Sequence, residues 1–230
     1  MKKNISVGSI VKDHPHMMDV FNDLGVDYCC GGKDSLEVVA QKKNYDLDSF
    51  LRLVDKEVAK KPQETSRQMD LKDFEKLSLK DMLDSLEATH HADELRLMAA
   101  VEEDLNRILW AHYQNHKDLL LFLHKNFGLL KLELEAHFAQ EERETFPLMR
   151  QKKDQETLDK VAILEEEHTQ AGEIIQEILD RTDNLTLPED VCVTFERTYQ
   201  ELRDLFEDIF IHIYKENSIL FPVYEKEVLG

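Results

Sequence analysis

Two segments in the second half of the chain carry the same residues at the same offsets, 75 residues apart. Each has a histidine, a glutamate four positions later, and a Phe-Pro pair that begins five positions after the glutamate. The copies are His137, Glu141 and Phe146-Pro147, and His212, Glu216 and Phe221-Pro222. With 11 Phe and 5 Pro in 230 residues, a Phe-Pro pair would recur at a fixed offset about once in a thousand trials. The repeat therefore indicates a shared structural role.

Both copies lie in segments with the apolar periodicity of an α-helix. Apolar residues precede His212 at intervals of three and four, and His212 and Glu216 continue those intervals on the same face. His137 and Glu141 do the same in their own segment. Burying a carboxylate without a partner costs on the order of several kcal/mol, so inward-facing glutamates require cations or hydrogen-bond donors. A metal ion would supply that charge.

Two further histidines fall on inward faces. His168 continues the apolar stripe of one segment, and His90 lies between leucines of another. Imidazole and carboxylate ligands without cysteine suit iron, manganese or zinc, and two inward glutamates can bridge two metal ions. We therefore predict a bridged pair of non-haem iron ions. The alternative is that these side chains only form hydrogen-bonded pairs within their own helices.

A ferritin-like site is a second alternative. Glu87 and Glu165 each precede a histidine by three residues, as in the Glu-x-x-His motif of carboxylate-rich di-iron sites. Such a site would leave His137 and His212 on inner faces without a role. We therefore prefer the histidine-rich site.

The composition predicts an all-α fold, because only 7 Gly and 5 Pro occur in 230 residues. We predict long helices near residues 79–108, 116–150, 155–181 and 188–228, with Pro188 in the first turn of the last one. Short connections between such helices favour an antiparallel four-helix bundle.

The chain is predicted to contain two modules. Residues 1–60 form a small helical domain with a Cys-Cys-Gly-Gly turn, residues 61–77 form a polar linker, and residues 78–230 form the bundle.

Charge and hydropathy exclude some partners. A net charge of −19 repels nucleic acids and anionic membranes and favours cations or basic protein surfaces. No apolar stretch approaches the roughly 20 residues that span a bilayer, and the start lacks a signal-peptide core. We therefore expect a cytoplasmic protein, and three cysteines fit a reducing compartment.

Several motifs together resemble one known family. They are Asp27-Tyr28-Cys29-Cys30-Gly31-Gly32, His90-His91, His112-x-x-x-His116, Glu167-His168 and the two Phe-Pro repeats. Over nearly its whole length the chain resembles the RIC proteins (repair of iron centres, the ScdA/YtfE type). That resemblance implies a hemerythrin-like four-helix bundle behind a short N-terminal domain.

The resemblance also implies a ligand set for two oxo- or hydroxo-bridged iron ions. The ligands would be His90, His112, His137, His168 and His212, with Glu141 and Glu216 as bridges. Trp110-Ala111 precedes His112 where the family has a more polar pair, so His116 is an alternative to His112.

The function implied by the resemblance is the repair of iron–sulfur clusters damaged by nitric oxide or peroxide, by donation of iron. The protein would act as a stoichiometric donor with iron–sulfur proteins as partners, and a homodimer is plausible for the family. Two rivals remain: a sensor or carrier that binds O₂ or NO, and a di-iron reductase of NO or peroxide. Retention of iron would favour the first, and multiple turnovers with an electron donor would favour the second.

The roles of the remaining cysteines and histidines are predicted from the residues around them in the sequence. Cys29 and Cys30 lie on a tight turn and are candidates for transient metal or cluster binding, thiol redox chemistry or docking; the alternative is a structural pair. Cys192 is expected in the core. His91 is expected to be a surface or capping residue. The acidic run 165–167 is expected to be a solvated face; the alternative is that one of its glutamates hydrogen-bonds a ligand histidine.

Overall fold

The computed structural model describes residues 2–29, 32–60 and 66–230, with the backbone alone for residues 66–69. Within these ranges the regular elements are helices, and one antiparallel bridge joins Ser6 to Ser35. The predicted all-α fold is confirmed. The chain divides into two compact units, Met1–Leu77 and Ser78–Gly230.

The first unit is a set of short helices around a small apolar core. Its described helices are α1 (Val7–Asp13), α2 (Met17–Asp23), α3 (Leu36–Lys42), α4 (Leu47–Val58) and α5 (Ser66–Phe74). Three of them begin after a side-chain cap, because Ser6, Ser35 and Asp46 each accept a hydrogen bond from the backbone N–H three residues on. Helix α5 falls in the stretch predicted as a linker, so that stretch is partly helical.

The second unit is the four-helix bundle. Its α-helices are α6 (Leu79–Leu86), α7 (Ala92–Gln140), α8 (Phe146–Gln151), α9 (Gln155–Arg181), α10 (Val193–Lys215) and α11 (Phe221–Leu229). Three π-helical turns, Glu87–His91, Glu141–Thr145 and Glu216–Leu220, join α6 to α7, α7 to α8 and α10 to α11. Helix α9 has the bounds predicted from the sequence.

Helix α7 contains the reversal between the first two arms of the bundle. His116 has non-helical dihedral angles, φ −127° and ψ 26°. Lys131 Nζ donates to Glu102 at 2.5 Å and Arg150 donates to Asp84 at 2.8 Å, so residues at nearly equal separations before and after His116 meet. The two arms are therefore antiparallel.

The connection predicted at 109–115 is helical instead. The segment has neither Gly nor Pro, and the helix continues until one residue breaks it.

The last arm begins later than predicted. Helix α10 starts at Val193, whereas the sequence predicted a start at Pro188. Asp190 has φ +58°, which a right-handed helix cannot accommodate. Cys192 occupies the N-cap position and is exposed, which corrects its predicted place in the core.

None of the helices in the described ranges is both long and apolar enough to traverse a bilayer.

Candidate metal centre

The bundle's candidate site is built on its three π-helical turns. A π turn inserts one extra residue into an α-helix and reorients the side chains at its boundary, frequently at functional sites. Glu141 and Glu216 each open such a turn, and the Phe-Pro pair that follows begins the next α-helix. Proline lacks the N–H that an α-helix would need there, so it suits the point where the hydrogen-bond register changes. The Phe-Pro repeat therefore marks the exit from two of the three π turns.

Glu141 and Glu216 are fully buried and lie between two pairs of histidines. In one group, both carboxylates meet His137 and His168, with the four ligand atoms within 4.8 Å of one another. In the other, the same carboxylates meet His91 and His212 within the same limit. Two four-atom groups thus share two carboxylates, which is the arrangement that bridging glutamates require.

Several of these buried atoms have no hydrogen-bond partner. Both oxygens of Glu141, both oxygens of Glu216, and Nε2 of His91 and of His212 make no hydrogen bond among the described residues. Unsatisfied buried polar atoms are rare and costly. Their nitrogen and oxygen donors match a cation such as iron, manganese or zinc, so the residues fit a metal.

The other ring nitrogen of each histidine is held by an acceptor oxygen. The pairs are His91 Nδ1 with Glu142 Oε1 at 3.0 Å, His137 Nδ1 with Glu167 Oε2 at 2.7 Å, His168 Nδ1 with Asn217 Oδ1 at 2.9 Å, and His212 Nδ1 with Glu94 Oε1 at 2.9 Å. Each Nδ1 therefore carries the hydrogen, and each Nε2 turns its lone pair toward the carboxylates.

The closest contact in the cluster joins two nitrogens. His137 Nε2 lies 3.0 Å from His168 Nε2. Because both rings carry their hydrogen on Nδ1, two lone pairs would face each other across this distance. A proton or a metal ion has to lie between them.

The buried acids and imidazoles shift one another's pKa values. Burial alone lowers the pKa of His137, but the negative charge of Glu141 and the hydrogen bond to Glu167 outweigh burial and raise the value to about 10. Burial raises the pKa of Glu216, but His212 and His168 hold it well below its ordinary value. Glu141 and Glu216 are therefore charged at neutral pH, and a metal ion that binds a protonated imidazole would displace its proton.

Two family models cover most of the chain. Residues 86–224 match the hemerythrin HHE cation binding domain. The chain belongs to this family. Residues 3–57 match ScdA_N, a domain of unknown function (DUF542).

Curated relatives match the chain along nearly their full length. The iron-sulfur cluster repair protein YtfE of Enterobacter sp. (strain 638) is 29% identical over 216 residues, 94% of each chain. The proteins of the same name in Escherichia coli O81 (strain ED1a) and O157:H7 are 28% and 27% identical, again over 94% of each chain. Together with the family models, they confirm the predicted membership in the ScdA/YtfE type.

His91, and not His90, takes part in the central cluster of this hemerythrin-like bundle. His91 Nε2 lies 3.2 Å from Glu141 Oε2, and only 1% of the residue is exposed, which corrects its predicted surface position. The reason is local geometry, since the π turn Glu87–His91 shifts the register on which the prediction of an inward His90 depended.

His90 instead belongs to a neighbouring group. Its Nδ1 lies 2.9 Å from Asp208 Oδ2, and its Nε2 accepts a hydrogen bond from Lys215 Nζ at 2.9 Å. Its ring stacks on His212 with the centroids 5.1 Å apart. His90 therefore supports a cluster histidine without joining the cluster.

His112 and His116 lie at the other end of the bundle. His112 follows His91 by 21 residues along one arm, which at about 1.5 Å per residue is roughly 30 Å. Both rings pack against Phe195, with centroid distances of 5.5 and 5.8 Å. Neither His112 nor its alternative His116 reaches the cluster.

The ferritin-like alternative does not match the geometry. Glu87 Oε1 accepts a hydrogen bond from Arg150 at 2.9 Å, and Glu165 is exposed. Neither glutamate belongs to a group of potential metal ligands among the described residues.

Sequence reasoning missed Glu94 and found Glu167 only as one member of a run. Glu94 is fully buried, and its pKa is raised to about 7 because burial outweighs the effect of His212. The signal for Glu94 was its place four residues after His90, a His-x-x-x-Glu pair without the Phe-Pro continuation. Glu167 binds His137, which is the alternative given for the acidic run.

The cysteine turn of the first unit is described only in part. Cys30 and Gly31 lie outside the described residues. Cys29 is half-buried, and its Sγ donates to Asp27 Oδ1 at 3.2 Å. A Cβ on Gly32 would lie 2.5 Å from the carbonyl oxygen of Tyr28, so the turn excludes a side chain there.

Proposed function

We propose that the bundle binds two non-haem iron ions between Glu141 and Glu216 and supplies iron for the repair of damaged iron–sulfur clusters. The observation that carries the proposal is the sharing of two buried, unsatisfied carboxylates by two pairs of histidines. The names of the curated relatives support the repair role.

In this proposal, His137 and His168 hold one ion, and His91 and His212 hold the other. Glu141 and Glu216, which belong to both groups of potential ligands, would hold both ions. Of the seven ligands implied by the family resemblance, His137, His168, His212, Glu141 and Glu216 keep their role, and His91 takes the place of His90. His112 has no place in this set.

The ligand count suits a site that can give up its metal. Each ion would have four protein ligands, fewer than the six that octahedral iron prefers, so positions remain for small ligands such as O₂ or NO. Iron bound in this way supplies redox and ligand-exchange chemistry. The protein's own residues orient the imidazoles through their Nδ1 hydrogen bonds and hold the carboxylates in the charged form.

The N-terminal unit contributes thiols in this proposal. Cys29 is half-buried on a turn next to Asp27, and Cys30 follows it in sequence. A half-buried thiol such as that of Cys29, with a second cysteine next to it in the sequence, suits transient binding of iron or of a damaged cluster. Cluster damage by nitric oxide or peroxide is the condition under which such a protein would act.

The test uses iron-loaded protein and an iron–sulfur enzyme inactivated by nitric oxide, mixed under anaerobic conditions. The proposal expects activity to return in proportion to the iron supplied. The matched control is a Glu141→Gln/Glu216→Gln variant, which keeps the side-chain volume and loses the charges. If this variant restores as much activity as the native protein, repair by the site is excluded.

Two other results would also contradict the donor role. Iron retained through repeated cycles of O₂ or NO binding would identify a carrier or sensor. Many turnovers of NO or peroxide with an electron donor would identify a reductase.

A further inference from the structure

The two halves of the repeat differ at the residue that follows each bridging glutamate. Glu142 follows Glu141, and Asn217 stands at the same place 75 residues later. Both reach across the bundle to hold a histidine: Glu142 Oε1 binds His91 Nδ1 at 3.0 Å, and Asn217 Oδ1 binds His168 Nδ1 at 2.9 Å. The same task is thus performed by a carboxylate in one half and by a neutral amide in the other.

The acceptors that hold the second histidine of each pair do not offset this difference. His212 is held by Glu94, whose side chain is fully buried. His137 is held by Glu167, whose side chain is 31% exposed. The pair His91 and His212 therefore has two carboxylate acceptors, one of them completely removed from water.

A carboxylate acceptor increases the basicity of a ligand imidazole, and removal of such partners costs about 10–100-fold in metal affinity. Both histidines of the pair His91 and His212 have acidic acceptors, whereas His168 is held by the neutral amide of Asn217. The imidazoles of His137 and His168 are therefore the weaker pair of metal ligands.

The weaker pair also lies next to an open groove. The groove runs between α9 and α11, and its lining includes Leu158, Asp159, Glu165, Asn217, Phe221 and Glu225. Phe221 stacks parallel to the His168 ring, with the planes 4° apart and the centroids at 6.0 Å. Asn217 is thus both the acceptor for His168 and part of the wall of an open groove that carries three exposed carboxylates.

We infer that the two metal positions are unequal, and that the ion held by His137 and His168 leaves first, through the groove at Asn217. The inference rests on the proposed binding of two ions and names the one that is donated. The ion held by His91 and His212 remains as the retained partner.

Chelator capture of iron tests this directly. Protein loaded with two ferrous ions is mixed with an excess of a coloured ferrous chelator, and the release is followed in time. The native protein should release iron in two phases of equal amplitude. Asn217→Asp should slow the fast phase by about tenfold or more, and Glu142→Gln should accelerate the slow phase by a similar factor.

The charge control is Asn106→Asp, which adds the same carboxylate on an exposed position of α7 and should leave both phases unchanged. A single phase in the native protein, or a fast phase that Asn217→Asp does not slow, would overturn the inference. If Asn217→Asp does not fold, crystals of the native protein treated briefly with chelator decide the matter. The remaining iron should lie beside His91 and His212, and iron remaining beside His137 and His168 would overturn the inference.

These results are distinguishable from failure of the proposed function. Two unequal release phases without restoration of a damaged enzyme would support the inequality and reject repair. Restoration of the enzyme with two identical release rates would support repair and reject the inequality.

Discussion

The two ends of the bundle both carry histidines on inward or half-buried faces, yet only one end has the chemistry of a metal site. At the π-turn end, four imidazoles point Nε2 at two shared carboxylates, and every Nδ1 is held by an oxygen. At the reversal, His112 and His116 pack on the ring of Phe195. Buried histidine alone is therefore a weak indicator of a ligand. The shared carboxylates and the second-nitrogen acceptors distinguish the site.

The largest difference between the two ends should appear on removal of a shared carboxylate. Glu216→Gln should reduce bound iron from about two ions per chain to nearly none, because both positions lose a charged ligand. His112→Ala, at the reversal, should retain both ions. Iron content after anaerobic loading and desalting measures this. Equal iron loss in the two variants would remove the distinction between the ends.

The neighbouring histidines His90 and His91 sharpen the comparison within the π-turn end. His91→Ala should lose about one of two ions, because it removes one of four ligands at a single position. His90→Ala should keep the stoichiometry, since this side chain binds Asp208 and Lys215. The same iron assay, with circular dichroism as the folding control, distinguishes them. Loss of iron only in the His90 variant would contradict the geometry.

A smaller effect is expected from the residue that holds His212. Glu94→Gln should weaken iron binding by about 10–100-fold without preventing saturation. The matched control is Asp104→Asn, which changes another buried acid, one that is paired with Arg197. Competition with a chelator of known affinity gives the ratio. Equal affinities for Glu94→Gln and the native protein would show that the buried acceptor has no influence on the metal.

The smallest expected effect is the dependence of the affinity for iron on pH. His137 has a pKa of about 10, so it is protonated at pH 7, and iron must displace that proton. The apparent affinity for iron should therefore fall by about tenfold, for each displaced proton, with every unit by which the pH is lowered. An indicator dye in weakly buffered solution should report proton release on loading. No release at pH 7 would contradict the raised pKa.

The raised pKa of His137 also determines how the stability of the iron-free protein changes with pH. A raised histidine pKa stabilises the fold fully below the ordinary value of 6.5, and this contribution is lost as the pH rises through about 10. The depressed pKa of Glu216 acts in the opposite direction, and its contribution is lost on acidification below its ordinary value of 4.5. The free energy of unfolding of the iron-free protein, obtained from urea titrations at a series of pH values, tests both losses.

Much of the site could be predicted from one repeat. His137, Glu141, His212 and Glu216 were placed inward from helical periodicity alone, and the structure brings them together with His168. Their inward positions follow from periodicity because these residues lie on regular α-helices or at the first residue of a π turn, where periodicity still holds.

The parts that sequence reasoning missed have a physical cause in each case. The choice of His91 over His90 depends on one extra residue in the turn Glu87–His91, and this turn has no Phe-Pro pair to mark its end. The reversal at His116 occurs without Gly or Pro. The role of Glu94 depends on its contact with His212, 118 residues away, which no local pattern encodes.

Anomalous scattering at the iron edge, from crystals of anaerobically loaded protein, tests the paired site most directly. Two iron peaks should lie about 3.5–4 Å apart, both within bonding distance of Glu141 and Glu216, one beside His137 and His168 and the other beside His91 and His212. A single peak, no peak, or iron beside His112 and His116 would contradict the assignment.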